Sequence, residues 1–175
     1  MMSKNDIIYI IGFMGSGKTT AGKKLASLLG WSFIDLDKKI EEYTGKTIPE
    51  IFLQNGEEYF RETETLLLRN LKTRSKTIVS TGGGTPCHSD NMEFMLEAGL
   101  TIYLKLTPGE LRSRLSESKG ERPLIKNLDQ NELLSFIRQK LADREKCYER
   151  SDMIIKGFDL DISLLHSLVD LRLNA

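Results

Sequence analysis

The sequence predicts an α/β domain in which helices flank a mostly parallel sheet. Short apolar runs alternate with amphipathic segments along the chain, which is the pattern of repeated strand–helix units. A glycine-rich stretch, residues 12–19, lies between the apolar run 7–11 and an amphipathic segment, where such a fold has a strand-to-helix turn. The 175 residues suffice for a single core. We therefore expect one domain over residues 1–175.

Hydrophobic periodicity places the elements of the first half of the chain. We predict strands at 7–11, 32–36 and 77–80, and helices at 17–29, 38–43 and 48–54, with a longer helix after Gly56 that carries 60–71. Gly30 ends the first helix, whose inner face we assign to Ala21, Leu25, Leu28 and Leu29. Thr47 and Glu50 have the spacing of a capping box, which indicates a helix start.

The second half of the chain continues the alternation and brings the number of predicted strands to five. We predict helices at 90–98, 130–150 and 162–173, strands at 100–106 and 153–156, and a further helix that starts at Thr107 with Pro108 in its first turn. Residues 116–129 are polar and contain glycine and proline, and they are too many for a simple connection. We therefore expect residues 116–129 to form a long loop with a role beyond connection.

Composition limits the classes of partner. The 25 basic and 25 acidic residues cancel, so overall charge favours neither nucleic acid nor an anionic membrane. No apolar run is long enough to span a bilayer or to form the core of a signal peptide, and we expect a cytoplasmic protein. The two cysteines, Cys87 and Cys147, have neither the spacing nor the histidine neighbours of a zinc site. We expect both to be reduced thiols.

Residues 12–19 read GFMGSGKT and fit the pattern G-x-x-x-x-G-K-[ST] of a phosphate-binding loop. Glycines allow the backbone to approach a polyphosphate, so that N–H groups and the start of the next helix point at its oxygens. Lys18 would then reach the β- and γ-phosphates, and the Thr19 hydroxyl would bind Mg²⁺. The alternative is a glycine-rich turn that carries an incidental lysine.

Other polar residues follow the predicted strands, at the edge of the sheet where open α/β folds bind ligands. Asp35 and Asp37 are two residues apart, so in an extended strand end they share one face. One could hold a metal-bound water and the other a substrate hydroxyl, although helix capping explains the pair equally well. After the third strand, Gly82, Gly83 and Gly84 form either a tight turn or a surface that a ligand approaches closely.

Two arginines elsewhere also belong to this group of candidates. Arg61 lies three residues before Glu64 and hence on the same helical face, where a surface ion pair is the simplest explanation. Arg122 lies in the long loop after the fourth strand. Arg122 therefore joins the residues expected at this edge of the sheet.

These motifs resemble those of the shikimate kinases over nearly the whole chain. In the family's order and at similar spacing, the matching blocks are GFMGSGKTTAGKKLA, FIDLDKKIEEYTGKTIPEIF, NGEEYFRETE, STGGGTP, ERPLI and DREKCYER. The resemblance implies a three-layer P-loop kinase with a five-stranded parallel sheet in the order 2-3-1-4-5. It also implies a mobile lid at about 116–129, which would close over the site and keep water from ATP. It also implies transfer of the γ-phosphoryl group of ATP to the 3-hydroxyl of shikimate, with Mg²⁺, in the chorismate pathway of aromatic amino-acid biosynthesis.

The resemblance assigns roles on the ATP side. It implies that the phosphates are held by Gly15, Ser16, Gly17, Lys18, Thr19 and Thr20. Thr19 would bind Mg²⁺, and Asp35 would hold a metal-bound water. Arg122 corresponds to the lid arginine that closes over the phosphates, and Arg114 to an arginine that stacks on adenine. Residues 156–159 show no match to the family's C-terminal adenine contact.

On the acceptor side, the resemblance implies a shikimate-binding helical region at about 37–71. The implied substrate-binding residues are Asp37, Arg61, Glu64, Gly82, Gly83, Gly84 and Arg144. The arginines would grip the carboxylate, because a planar guanidinium binds it bidentately, and Glu64 would fix Arg61. Asp37 is the candidate base and, with Lys18 and Arg122, one of the expected catalytic residues.

Simpler explanations exist for two parts of this acceptor site. Arg144 could instead form an exposed ion pair with Asp143 or Glu145. Phe52 and Phe60 would line the shikimate pocket, or they could serve core packing alone. Either explanation would remove the residue from the site without altering the fold.

Two other functions stay open at this point. The first is a related small-molecule kinase of the same fold, of the gluconate or nucleoside monophosphate type; a phosphorylated acceptor would call for more basic residues around the pocket. The second is a nucleotide-binding domain without catalysis, which a degraded acceptor site would mark. We expect a monomer whose partners are ATP and shikimate, with no nucleic acid and no membrane.

Overall fold

The computed structural model describes residues 7–117, 125–157 and 159–174. Five parallel strands form one sheet in the order β2-β3-β1-β4-β5, which confirms the order that the resemblance implied. The strands are β1 (Ile7–Ile11), β2 (Ser32–Asp35), β3 (Thr77–Ser80), β4 (Leu100–Lys105) and β5 (Met153–Lys156). The central strand β1 has the sequence IIYII and is buried throughout, as expected for a parallel strand covered on both faces.

Helices connect the strands. Within the described residues they are α1 (Lys18–Leu29), α2 (Leu36–Thr44), α3 (Ile48–Asn70), α4 (Asn91–Ala98), α5 (Pro108–Glu117), α6 (Gln130–Tyr148) and α7 (Ile162–Leu173). Two short 3₁₀ turns, Leu71–Thr73 and Thr85–Cys87, follow α3 and the loop after β3. No helix in these ranges is both long and apolar enough to cross a membrane.

The alternation of side chains along β1 divides the core into two layers. Ile7, Tyr9 and Ile11 belong to a cluster that includes residues of α3, α4 and α6. Ile8 and Ile10 point the other way, into a cluster with residues of α1 and α7. The sheet is therefore covered on both faces, and the three-layer α/β prediction is confirmed.

The structure corrects the predicted inner face of α1. Leu28 is 52% exposed, whereas Ala26 is 3% exposed and packs in the core. The reason lies in the neighbouring Gly22, where an added Cβ would lie 2.6 Å from the Phe33 ring. Small residues bring this side of α1 against β2, and Leu28 falls at the solvent edge of the helix.

Several boundaries differ from the predictions by a few residues. Leu36 begins α2 instead of ending β2, because Asp35 caps this helix by accepting a hydrogen bond from the backbone N–H of Lys38. Gly56 does separate two helical segments within α3, as predicted, because its φ of 83° and ψ of 172° are not helical and kink the chain between them. Of the predicted lid 116–129, residues 118–124, including Arg122, lie outside the described residues.

Tyr9 provides a test of the core. Its hydroxyl is buried and has no hydrogen-bond partner among the described residues. Because an unsatisfied buried hydroxyl costs free energy, Tyr9→Phe should raise the free energy of unfolding by about 1 kcal/mol. Urea denaturation of both proteins measures the change. A clear loss of stability would contradict this prediction and show that the hydroxyl is bonded, for example to a buried water.

Candidate active site

One cavity of about 1290 Å³ opens at the carboxyl ends of β1, β2 and β3. Its lining includes the predicted phosphate-loop residues Gly15, Gly17, Lys18, Thr19 and Thr20, together with Asp35 and Arg114. It also includes the predicted acceptor residues Asp37, Arg61, Glu64, Gly82, Gly83, Gly84 and Arg144. The structure thus brings both predicted sets of residues together in a single pocket.

The phosphate loop has a backbone that requires glycine. Gly12, Gly15 and Gly17 have φ values of 154°, 80° and 90°, a region that L side chains rarely adopt. Lys18 is buried, and its ammonium group donates to the carbonyl oxygens of Gly12 at 2.8 Å and Phe13 at 2.9 Å. The lysine therefore lies inside the curve of the loop, where a phosphate group would meet it.

The start of α1 is suited to an anion. Gly17, which precedes the helix, offers no side-chain cap, and the first turn contains no acidic residue. Ser16 is buried, and its Oγ has no partner among the residues that the structure describes. Free N–H groups at a helix start and a buried, unpaired hydroxyl are the features that a phosphate would satisfy. These residues fit the polyphosphate of ATP.

Thr19 and Asp35 meet at the base of the same pocket. The Thr19 hydroxyl donates to Oδ2 of Asp35 at 2.9 Å, while Oδ1 of Asp35 caps α2. A threonine hydroxyl and a carboxylate oxygen are the hard donors that Mg²⁺ accepts in P-loop enzymes. Both explanations of Asp35 therefore hold at once, since one oxygen caps the helix and the other faces Thr19.

The expectation that Asp35 and Asp37 share the face of an extended strand is wrong. Asp35 ends β2, and Asp37 lies in the first turn of α2. The two carboxylates still line one cavity because the helix turns Asp37 back over the strand end. The change from strand to helix, and not the alternation of a strand, brings them together.

Asp37 is exposed to the open cavity, but protein atoms of the cavity walls surround its carboxyl group. Desolvation, followed by the negative charges of Glu64 and Asp35, raises the pKa of Asp37 from 3.8 to about 6. Lys18 acts in the opposite direction. A carboxyl group with this pKa is mostly ionised at neutral pH and is a better proton acceptor than an ordinary aspartate.

Arg61 and Glu64 form an ion pair that is not on the surface, so that simpler explanation is wrong. Glu64 is fully buried and accepts from Nη1 of Arg61 at 2.7 Å. Its second oxygen accepts from the hydroxyl of Thr85 at 2.5 Å. Asn91 in turn donates to the Thr85 carbonyl oxygen at 3.0 Å. Thr85 is not among the candidates predicted from the sequence, although it directly follows the three glycines.

The three glycines leave no room for side chains. An added Cβ on Gly82 would lie 3.0 Å from oxygens of Asp37, Glu64 and Thr85. One on Gly83 would lie 3.3 Å from Nη1 of Arg144, and one on Gly84 would collide with the guanidinium of Arg61. The loop is therefore bare because polar and charged side chains approach it from several directions, and a tight turn alone does not explain it.

Arg144 lies in this pocket and is not part of the predicted surface ion pair. Glu145 pairs instead with Lys105 at 2.8 Å, and Arg144 has no ion pair with either acidic neighbour within the described ranges. Its guanidinium carbon is 5.9 Å from the centre of the Phe13 ring, at the start of the phosphate loop. Arg144 therefore faces the cavity beside Gly83.

Arg114 lies against the phosphate loop. An added Cβ on Gly17 would lie 2.9 Å from its Nη1 atom. Its predicted stacking on adenine stays a prediction, because the contact observed is with the loop itself. The position nevertheless puts a positive charge on the ATP side of the cavity.

The two candidate aromatic residues differ in burial. Phe60 is 5% exposed and belongs to the core, whereas Phe52 is 39% exposed, and their ring centres are 4.8 Å apart. Both line the cavity, so packing and pocket lining are compatible roles. They provide an apolar wall next to Arg61, whose guanidinium carbon lies 5.1 Å from the centre of the Phe60 ring.

Cys87 and Cys147 are free thiols beside the acceptor side. The Cys147 thiol donates to the carbonyl oxygen of Pro86 at 3.1 Å, and the Cys87 thiol to that of Arg144 at 3.8 Å. Neither cysteine lines the cavity.

Comparisons with known proteins give a consistent result. The family model of shikimate kinase matches residues 14–163. A shikimate kinase of Phocaeicola vulgatus is 43% identical over 88% of this chain and 88% of its own length. A shikimate kinase of Parabacteroides distasonis is 43% identical over 91% of each chain.

Solved structures agree with the sequence comparisons. A shikimate kinase of Bacteroides thetaiotaomicron superposes with a TM-score of 0.91 at 38% identity, covering 97% of this chain and 99% of that one. A shikimate kinase of Acinetobacter baumannii, solved in complex with shikimate, gives a TM-score of 0.85 at 34% identity, with 97% and 94% covered. A gluconokinase of Sinorhizobium meliloti, at 15% identity and a TM-score of 0.59, shares the fold alone.

The raised pKa of Asp37 can be tested without any ligand. We expect its carboxyl group to titrate near a pKa of 6 by NMR, and Glu64→Gln to lower that pKa by removing a neighbouring negative charge. Glu57→Gln is the matched control, since exposed Glu57 contacts Arg61 but does not perturb Asp37. An unchanged titration in Glu64→Gln would show that Glu64 does not act on Asp37.

The same shift predicts a pH-dependent stability. The folded protein holds the Asp37 proton more tightly than the unfolded chain does, so ionising Asp37 costs stability as the pH rises from 3.8 through about 6. Asp37→Asn should therefore gain stability relative to wild type between about pH 4 and about pH 7, measured by urea midpoints. A constant difference between the two proteins over this range would rule out the shift.

Proposed function

The chain belongs to the shikimate kinase family, and we propose that its cavity transfers the γ-phosphoryl group of ATP to the 3-hydroxyl of shikimate, giving shikimate 3-phosphate and ADP. As a member of this family it is an ATP-dependent kinase. The observation that carries the proposal is that one cavity holds both a phosphate loop and a set of two arginines with an aspartate. The relative solved with shikimate, at 34% identity, supports the same acceptor.

On the ATP side, we assign the phosphates to Gly15, Ser16, Gly17, Lys18, Thr19 and Thr20. When ATP binds, the Lys18 ammonium group exchanges the carbonyl oxygens of Gly12 and Phe13 for phosphate oxygens. Its positive charge then lies next to the phosphoryl group that is transferred. Thr19 and Asp35 would hold Mg²⁺, which would neutralise charge on the phosphates. Arg114 adds a positive charge beside Gly17.

On the acceptor side, we assign the shikimate carboxylate to Arg61 and Arg144. A guanidinium can grip a carboxylate through two parallel hydrogen bonds, the second arginine adds a further donor and positive charge, and Glu64 keeps Arg61 in place. Asp37 accepts hydrogen bonds from the hydroxyls and takes the proton of the attacking one, for which its raised pKa of about 6 suits it. The backbone N–H of Gly83 is open to the substrate because the residue has no side chain.

The last part of the proposal, a lid, rests on the sequence alone. Water must be excluded during transfer, or ATP is hydrolysed. We assign this role to residues 116–129, with Arg122 closing over the phosphates. We further propose a cytoplasmic monomer without nucleic-acid or membrane partners, for which the balanced charge of the chain is the support.

Neither alternative function explains the pocket as well. A nucleotide-binding domain without catalysis has no need of Asp37, Arg61 and Arg144 around a bare glycine loop. A gluconate-type kinase shares the fold, but the likeness to such an enzyme does not extend beyond it. The acceptor site therefore favours shikimate.

A substrate panel tests the function directly. ADP release should depend on shikimate, with gluconate and nucleoside monophosphates at least about 10³-fold lower in kcat/KM, because polar groups built for shikimate stay unpaired with the other acceptors. Asp37→Asn is the negative control for catalysis. A higher kcat/KM for gluconate or for a nucleoside monophosphate would overturn the proposed acceptor.

Arg144→Lys tests the carboxylate assignment. An ammonium group replaces a two-pronged planar donor, so the KM for shikimate should rise at least about tenfold, roughly 1.4 kcal/mol, with little change in the KM for ATP. Arg138→Lys is the matched control, because Arg138 is an exposed arginine of the same helix outside this cavity.

An analogue refines this test. Wild type should bind poorly a shikimate analogue whose carboxylate is replaced by hydroxymethyl, and Arg144→Lys should discriminate less between the two compounds. Equal penalties for both compounds in both proteins would mean that Arg144 does not read the carboxylate.

A further inference from the structure

The last turns of α6 carry a buried tyrosine on the same face as Arg144. Tyr148 lies four residues after Arg144, which places the two side chains one above the other. Tyr148 is fully buried, and its ring centre lies 5.1 Å from that of Tyr103. Its hydroxyl donates a hydrogen bond to the carbonyl oxygen of Gly83 at 2.5 Å. A side chain of α6 thus reaches the middle of the glycine loop after β3.

Arg144 lies close enough to the same hydroxyl to act on it. The positive charge of its guanidinium lowers the pKa of Tyr148 and so opposes the effect of burial. Burial raises the pKa of Tyr148, so the hydroxyl stays protonated and remains a donor to Gly83 at neutral pH. The guanidinium lies over Gly83, where an added Cβ would be 3.3 Å from Nη1. Tyr148, Arg144 and Gly83 therefore form one connected group.

Tyr148 is not among the residues that line the cavity. It has no access to a substrate and can act only through the groups that it holds. Those groups are the Gly83 peptide and the Arg144 guanidinium, which lie on two elements far apart in sequence, the loop after β3 and α6. Tyr148 can fix their separation, because its hydroxyl bonds the loop at Gly83 while its backbone belongs to the helix that carries Arg144.

We propose that Tyr148 is a positioning residue for the acceptor, whose hydroxyl sets the Gly83 peptide and the Arg144 guanidinium at the separation that shikimate requires. The inference rests on the proposed function, in which both groups touch the substrate. The phosphate loop belongs to β1 and α1 and has no hydrogen bond to Tyr148 among the described residues. Loss of the hydroxyl should therefore weaken the acceptor site and spare the ATP site.

Tyr148→Phe removes the hydroxyl and keeps the ring. We expect the KM for shikimate to rise about tenfold, the effect of one strong hydrogen bond, while the KM for ATP stays within about twofold of wild type. Calorimetric titration with shikimate alone should show the same loss of affinity. Tyr103→Phe is the matched control, since it removes a hydroxyl from the other ring of the same buried pair and should leave both KM values unchanged.

A double-mutant cycle separates positioning from general stability. If Tyr148 acts through Arg144, the shikimate penalty of Tyr148→Phe should shrink when Arg144 is already lysine, so that the two penalties do not multiply. Thermal midpoints of all variants show whether the fold is retained. A tyrosine with only a structural role would give multiplying penalties, or equal increases in both KM values, or the same effect in Tyr103→Phe; any of these overturns the inference.

The wild-type enzyme in the same assay keeps the two proposals distinct. If wild type does not phosphorylate shikimate, the proposed function is wrong. If wild type is active and Tyr148→Phe has an unchanged KM for shikimate, the function stands and only the role of Tyr148 is wrong.

Discussion

The acceptor side of the pocket depends on one buried carboxylate, that of Glu64. Removing a carboxylate from water is tolerated only when opposite charge and hydrogen bonds compensate it. Arg61 supplies the charge and Thr85 the second hydrogen bond. Because Arg61 lies on α3 and Thr85 follows the glycine loop, satisfying this one group fixes the loop against the helix. It also places negative charge near Asp37, which contributes to the raised pKa of that carboxyl group.

The three glycines after β3 keep the cavity open, because they have no side chains to fill the space between the packed polar groups. Gly82 faces the carboxylates of Asp37 and Glu64, Gly83 faces Arg144, and Gly84 faces Arg61. A methyl group at any of the three would push a charged side chain out of position, so the loop is constrained by its surroundings as much as by its own backbone. None of these three glycines has a positive φ. They are therefore required by the lack of space for a side chain, and not by an unusual backbone conformation.

Local patterns in the sequence predicted what local physics determines. The strands, the turn at residues 12–17 between β1 and α1, and the capping boxes at Thr47 and Thr107 depend on neighbouring residues, and the structure confirms them. Leu28 was assigned wrongly because close packing of Gly22 on Phe33 sets the rotation of α1, and that contact joins two elements. Thr85 was missed for the same reason, since its partner Glu64 is distant in sequence. The acceptor residues were found through family motifs, because no periodicity connects α3 with α6.

Charge within the pocket gives a reason why the acceptor should be an anion. The positive charge of Arg61 is compensated by Glu64, which is fully buried and cannot turn towards solvent. Arg144 has no acidic partner in the described part of the chain and lies against the glycine loop and an aromatic ring instead. A carboxylate placed between the two arginines gives Arg144 the negative partner that it lacks. The same carboxylate is a second negative partner for Arg61, which is already paired with Glu64. A neutral acceptor would leave a guanidinium uncompensated in a partly desolvated site, which is costly.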